Sequence, residues 1–103
     1  MGDSPSSKFL GLLRALVRHE VEFLVVGGVA AILEGAPIVT FDLDVLVSRA
    51  PKNLESLLSL LREINARYRD PAGRILFPDE AKLTTLRLHL LITDLGAFDV
   101  LTS

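Results

Sequence analysis

Residues 25–47 read VVGGVAAILEGAPIVTFDLDVLV. Two adjacent glycines, then two aspartates separated by one leucine, stand in a stretch that is otherwise almost wholly apolar. The preceding residues, VEFLVV at 21–26, are β-branched and aromatic and stop at Gly27-Gly28, which predicts a buried strand. VAAILE at 29–34 predicts a short helix, with Gly35 as its C-terminal cap and Pro37 just beyond. Residues 38–47 predict a long second strand. Burying an unpaired charge is far more costly than burying an apolar side chain is favourable. Asp42 and Asp44 therefore need either a wet face or a positive partner.

Working outward, residues 8–19 place Phe9, Leu12, Leu13, Leu16 and Val17 at helical spacing. Ser4, Ser6 or Ser7 can cap that helix, and Arg18 and His19 suit its negative end. Beyond the second strand, residues 48–52 form a turn, with Pro51 at the first position of the next helix. Leu54, Leu57, Leu58, Leu61, Ile64 and Tyr68 predict an amphipathic helix over about residues 52–68, with Leu60 off its stripe as a candidate interface residue. Residues 70–73, DPAG, are a loop by turn chemistry. Residues 74–77 read as a short strand and 78–82 as a helical turn. Residues 83–93 alternate, with Leu86, Leu88, Leu90 and Ile92 on one face and Arg87, His89 and Leu91 on a less apolar one. Asp94-Leu95-Gly96 is a hairpin turn, and 97–101 is its return strand. A right-handed crossover and a hairpin in one sheet predict a mixed α/β (α+β) fold, with helices packed mainly on one face.

The chain has 103 residues, half of them hydrophobic, which suits one domain over residues 1–103 with a real core. A formal net charge of -2 argues against nucleic-acid binding by bulk electrostatics, because such domains are usually basic. The absence of cysteine excludes a disulfide framework and a thiolate metal site, and makes the cytoplasm the default location. The opening MGDSPSSK lacks the basic and apolar regions of a signal peptide. The longest uncharged run, between Glu22 and Glu34, is too short to span a bilayer, so no membrane partner is expected.

Side chains two apart on a strand face the same way. Asp42 and Asp44 thus share a face with Thr40 and Leu46, opposite Phe41, Leu43, Val45 and Val47. Their Cα atoms would lie roughly 6–7 Å apart. Like charges this close repel unless a cation lies between them, and oxygen-only ligands favour magnesium or manganese. Asp99, inside the apolar AFDVL, offers a third carboxylate. The alternative is a solvated strand face, although aspartate is disfavoured in strand interiors. Gly27-Gly28 closes a strand and opens a helix, a place where backbone N–H groups meet phosphate. The alternative there is a tight turn needing positive φ. The pattern fits neither a Rossmann fingerprint nor a P-loop.

Together, V-V-G-G at 25–28 and F-D-L-D-V at 41–45 resemble the nucleotidyltransferase superfamily, with its polymerase-β-like fold. The likeness is nearest to the AbiEii-like and minimal bacterial nucleotidyltransferases, on Gly27, Gly28, Ala30, Gly35, Thr40, Asp42 and Asp44. It is close over residues 21–47 and looser to Asp99. It implies that Gly27 and Gly28 hold the triphosphate of an NTP. Asp42, Asp44 and Asp99 would hold Mg2+ or Mn2+, with Asp99 assisting deprotonation of the acceptor hydroxyl. Thr40 would orient the aspartates or touch phosphate. The implied activity is transfer of an NMP to a hydroxyl of tRNA, a protein or a small molecule, with release of pyrophosphate. Relatives often carry a basic residue two before or just after the threonine. Here those places hold Ile38 and Phe41, so phosphate neutralisation must come from elsewhere. Relatives also continue into C-terminal helices, so a truncated or minimal member lacking that helical part, or one needing a protein partner or a second copy, is expected. The alternative function is a non-catalytic binding module of a toxin–antitoxin or other two-component system.

Five further residues stand out. Arg87 and His89 either meet phosphate or acceptor or form a solvated strand face. Lys82 and Arg74 are candidates to line the cleft from loops. His19 is a surface residue compatible with the helix dipole. Haloacid-dehalogenase-type phosphatases and glycosyltransferases also use D-x-D. The former place it at the fold's first strand, and the latter are much longer chains.

Overall fold

Why each helix stops where it does explains how the strands are fed. The computed structural model describes residues 5–27 and 43–103. The predicted helix at 29–34 and the first part of the second strand lie outside them. Helix α1 (Pro5–Arg18) buries Phe9, Leu12, Ala15 and Leu16, while Val17 turns to solvent. It ends because Glu20 takes a left-handed conformation, φ 58°. The Glu20 N–H then donates to the Val17 carbonyl and the Val21 N–H to the Leu16 carbonyl, each at 3.0 Å. This paired closure satisfies carbonyls that the helix leaves open. Strand β1 (Phe23–Gly27) follows, and strand β2 spans Leu43–Val47.

Helix α2 (Pro51–Glu63) has proline in its first turn and buries Asn53, Leu54, Leu57, Leu60 and Leu61. Leu60 is a core residue, not an interface residue. The predicted extension to Tyr68 fails at Asn65, φ 54°. There the Ala66 N–H donates to Leu61 at 2.9 Å and the Asn65 N–H to Arg62 at 3.3 Å, repeating the closure of α1. Tyr68 leaves the helix and enters strand β3 (Arg67–Tyr68). Asn53 ties α2 to the start of β1. Its side chain accepts from the Glu22 N–H at 2.7 Å and donates to the Glu22 and Ser48 carbonyls.

Residues 74–77 form no strand; the Tyr68 N–H donates to the Leu76 carbonyl at 2.8 Å and holds the segment in place. Helix α3 (Glu80–Thr85) is capped by the Asp79 side chain, which accepts from the Lys82 N–H. It takes up Leu83, so strand β4 is only Leu88–Thr93. A two-residue turn leads to β5 (Gly96–Thr102), with Thr93 Oγ1 donating to the Gly96 carbonyl and accepting from the Leu95 N–H.

The five strands among the described residues lie in the order β1-β2-β5-β4-β3. The β2–β5 pair is parallel, and the other neighbours are antiparallel. Leu43, Val45, Val47, Leu91, Phe98 and Val100 form the sheet's share of one core, to which the three helices among the described residues contribute. The three helices among the described residues therefore pack on one face, and the mixed α/β (α+β) class is as the sequence predicts. The other face carries exposed Leu24, Leu88, Leu90 and Leu101. No helix among the described residues is long and apolar enough to cross a membrane.

The faces of β4 are the reverse of the simplest reading of its pattern. Register decides this: His89 pairs with Val100 and Leu91 with Phe98, so both join the core. Leu88 and Leu90, opposite Leu101 and Asp99, lie on the open face.

Candidate active site

Three of the sequence candidates, Gly27, Asp44 and Asp99, lie in one transverse row on the open face. Gly27 at the end of β1 is the register partner of Asp44 on β2, just past an irregularity between Val25 and Gly27. Asp44 is in turn the register partner of Asp99 on β5. Asp99 pairs with Leu90 on β4. The Leu90 carbonyl accepts from the Arg69 N–H at 2.9 Å, which extends the row beyond β3.

Paired residues on neighbouring strands share a face, with backbones about 4.8 Å apart. Two carboxylates at about 5 Å repel by about 3 kcal/mol at an effective dielectric constant of 20. Two features of the structure bear on that repulsion. The Arg69 guanidinium donates to Asp99 Oδ1, from the side opposite Asp44. Asp44 Oδ1 is buried and has no hydrogen-bond partner among the described residues. Such an acceptor costs on the order of 1–3 kcal/mol.

An acceptor-only oxygen, buried beside a second carboxylate, suits a hard divalent cation. Asp44 and Asp99 are thus a pair with the right donor chemistry. Among the described residues no group of three potential ligands assembles. The third expected ligand, Asp42, lies outside the described residues, as do Gly28 and Thr40.

Other carboxylates are held by conventional structural partners. Hydrogen bonds from His19 and then Arg18 lower the Glu63 pKa. Arg74 lowers that of Asp70 through side-chain and backbone hydrogen bonds. The Lys82 backbone N–H does the same for Asp79, as a helix cap. These partners also account for three sequence candidates. Arg74 is engaged by Asp70, Lys82 by Asp79 and the Phe77 carbonyl, and His19 by Glu63.

His89 is in the core rather than on a solvated face or at the phosphate. Its side chain is fully buried, with Nε2 3.0 Å from the Leu86 carbonyl and Nδ1 2.7 Å from the Tyr68 hydroxyl. A carbonyl only accepts, so Nε2 carries the proton and Nδ1 accepts from the tyrosine. Burial pushes the Tyr68 phenol up to about 12 and moves the His89 pKa down, so both stay neutral. Arg87, the residue just before β4, is exposed.

Sequence reasoning missed Arg69. Reading Tyr68 as the end of a helical stripe hid the alternation in Arg67-Tyr68-Arg69. Tyr68, register partner of core Leu91, turns inward, while Arg67 is paired with Ile92 on the open face. That period of two was the available signal.

Comparison of the chain with protein-family models, with curated proteins and with solved structures finds no significant match.

Proposed function

We propose that this protein is a metal-dependent nucleotidyltransferase that moves an NMP from an NTP to a hydroxyl acceptor and releases pyrophosphate. The observation that carries this reading is the row Gly27–Asp44–Asp99 on one open face, with an unpartnered buried oxygen on Asp44. The sequence motif names these residues, and their register supports a common site. Asp42, Asp44 and Asp99 would hold Mg2+ or Mn2+ through carboxylate oxygens. Such an ion would supply charge stabilisation at the phosphates and an easier ionisation of the acceptor hydroxyl. Asp99, beside Asp44, draws the proton from that hydroxyl. Gly27-Gly28 offers backbone N–H groups to the triphosphate, and Thr40 orients the aspartates. The acceptor oxygen bonds to the α-phosphorus as the bond to pyrophosphate breaks. We assign the protein to the cytoplasm.

A second reading has its own support. The open face carries four exposed leucines, Leu24, Leu88, Leu90 and Leu101, around the carboxylates. An apolar surface of this kind suits a protein partner or a second copy. In this reading the domain is a binding module of a toxin–antitoxin or similar pair.

The test is incubation with each NTP labelled at the α-phosphate, with Mg2+ or Mn2+, and with tRNA, bulk protein or small-molecule hydroxyls as acceptors. The nucleotidyltransferase reading expects label on one acceptor class, with pyrophosphate released in step and lost in Asp44→Asn. Label transfer that persists in Asp44→Asn would refute the assigned site.

A further inference from the structure

The motif, residues 25–47, contains no lysine or arginine, yet a triphosphate needs positive charge. Arg69 is the cation that the fold brings to the row. Its backbone N–H is fixed to the Leu90 carbonyl, so its Cα stays two strands from Asp99. Its guanidinium crosses the open face to reach Asp99 Oδ1. The Asp99 side chain is 19% exposed and that of Arg69 34%, so the arginine side chain retains access to solvent. An arginine uses only part of its five-donor fork on one carboxylate oxygen, and that fork matches phosphate equally well. Arg74 and Lys82 are committed to Asp70 and Asp79.

We infer that Arg69 is a charge-exchange residue: it pairs with Asp99 in the metal-free protein and passes to the substrate's phosphates when a divalent cation takes Asp99. This rests on the nucleotidyltransferase reading of the same site. Two consequences have opposite signs. Arg69 opposes metal binding in the absence of nucleotide, because both cations claim Asp99. It favours binding of polyphosphate once the metal is present. A purely structural ion pair would produce neither effect.

The experiment titrates the whole protein with Mn2+, then with inorganic tripolyphosphate at saturating Mn2+, in wild type, Arg69→Gln and Asp44→Asn. Arg69→Gln is expected to bind Mn2+ roughly three- to tenfold more tightly, the range of a partly exposed ion pair. Its tripolyphosphate affinity is expected to fall by roughly tenfold, as for a lost charge-assisted contact. Unchanged or weaker Mn2+ binding in Arg69→Gln, or unchanged tripolyphosphate affinity, overturns the inference. If wild type binds Mn2+ in an Asp44-dependent way without any gain in Arg69→Gln, this inference alone falls. If neither protein binds Mn2+, or if binding ignores Asp44→Asn, the site reading falls with it. Should Arg69→Gln not fold, the Arg69 side-chain N–H resonance of the wild type serves instead. It is expected to shift as Mg2+ is added, and a resonance that does not move overturns the exchange.

Discussion

Replacing Asp44 by asparagine should stabilise the metal-free protein. The substitution keeps shape and removes one charge. Its gain comes from the repulsion toward Asp99, about 3 kcal/mol before solvent screening and the Arg69 counter-charge reduce it. Relief of the unpartnered Asp44 oxygen adds to this, because an amide oxygen is cheaper to leave unsatisfied than a carboxylate. A net gain of about 1–2 kcal/mol is expected, which for a domain of this size raises Tm by about 5–10 °C. The assay is thermal and urea unfolding at pH 7 and low salt, with EDTA present. Added Mg2+ should then reverse the order. Wild type gains about 2.7 kcal/mol when the ion is at a hundred times its Kd, and Asp44→Asn gains little. If Asp44→Asn is no more stable than wild type in EDTA, the carboxylate pair is not strained and this reasoning is wrong.

Three other predictions concern the scaffold. Burial, ahead of the Arg49 charge, lowers the His89 pKa against a weaker upward pull from the Leu86 carbonyl. Unfolded chains therefore bind the proton more readily, so stability is intact above the ordinary histidine pKa of about 6.5 and declines as pH falls below it. Urea midpoints between pH 7.5 and 5.5 should show this decline, and His89→Gln should remove it. Asn53→Ala leaves the Glu22 N–H and carbonyl and the Ser48 carbonyl without their partner, and should lower unfolding free energy by about 2–3 kcal/mol in urea titrations. Glu20→Gly relieves a left-handed backbone that a side chain disfavours, and should stabilise by roughly 0.5 kcal/mol after the added unfolded-state entropy.

The sequence carried the architecture where a pattern had one physical meaning. Alternation put Leu43, Val45 and Val47 in the core and Asp44 on the other face of the sheet. It failed where two patterns overlapped. Ile64 and Tyr68 continue the α2 stripe, but the chain between them turns at a left-handed Asn65, a conformation that asparagine tolerates without announcing it. His89 looked polar and therefore outward. Its two ring nitrogens are satisfied by Tyr68 and Leu86, contacts that only the fold brings together. Within the site, D-x-D and the distant Asp99 were legible as charges in apolar strands. The register that sets Asp99 beside Asp44, and the approach of Arg69 across β4, are long-range facts with no local signature.

Calorimetry of ATP binding in the presence and absence of Mg2+ tests the central claim most directly, on wild type and on the double substitution Asp42→Asn/Asp44→Asn. The account predicts Mg2+-dependent binding to wild type and none to the double variant. Nucleotide binding that survives loss of both aspartates, or that ignores Mg2+, would contradict it.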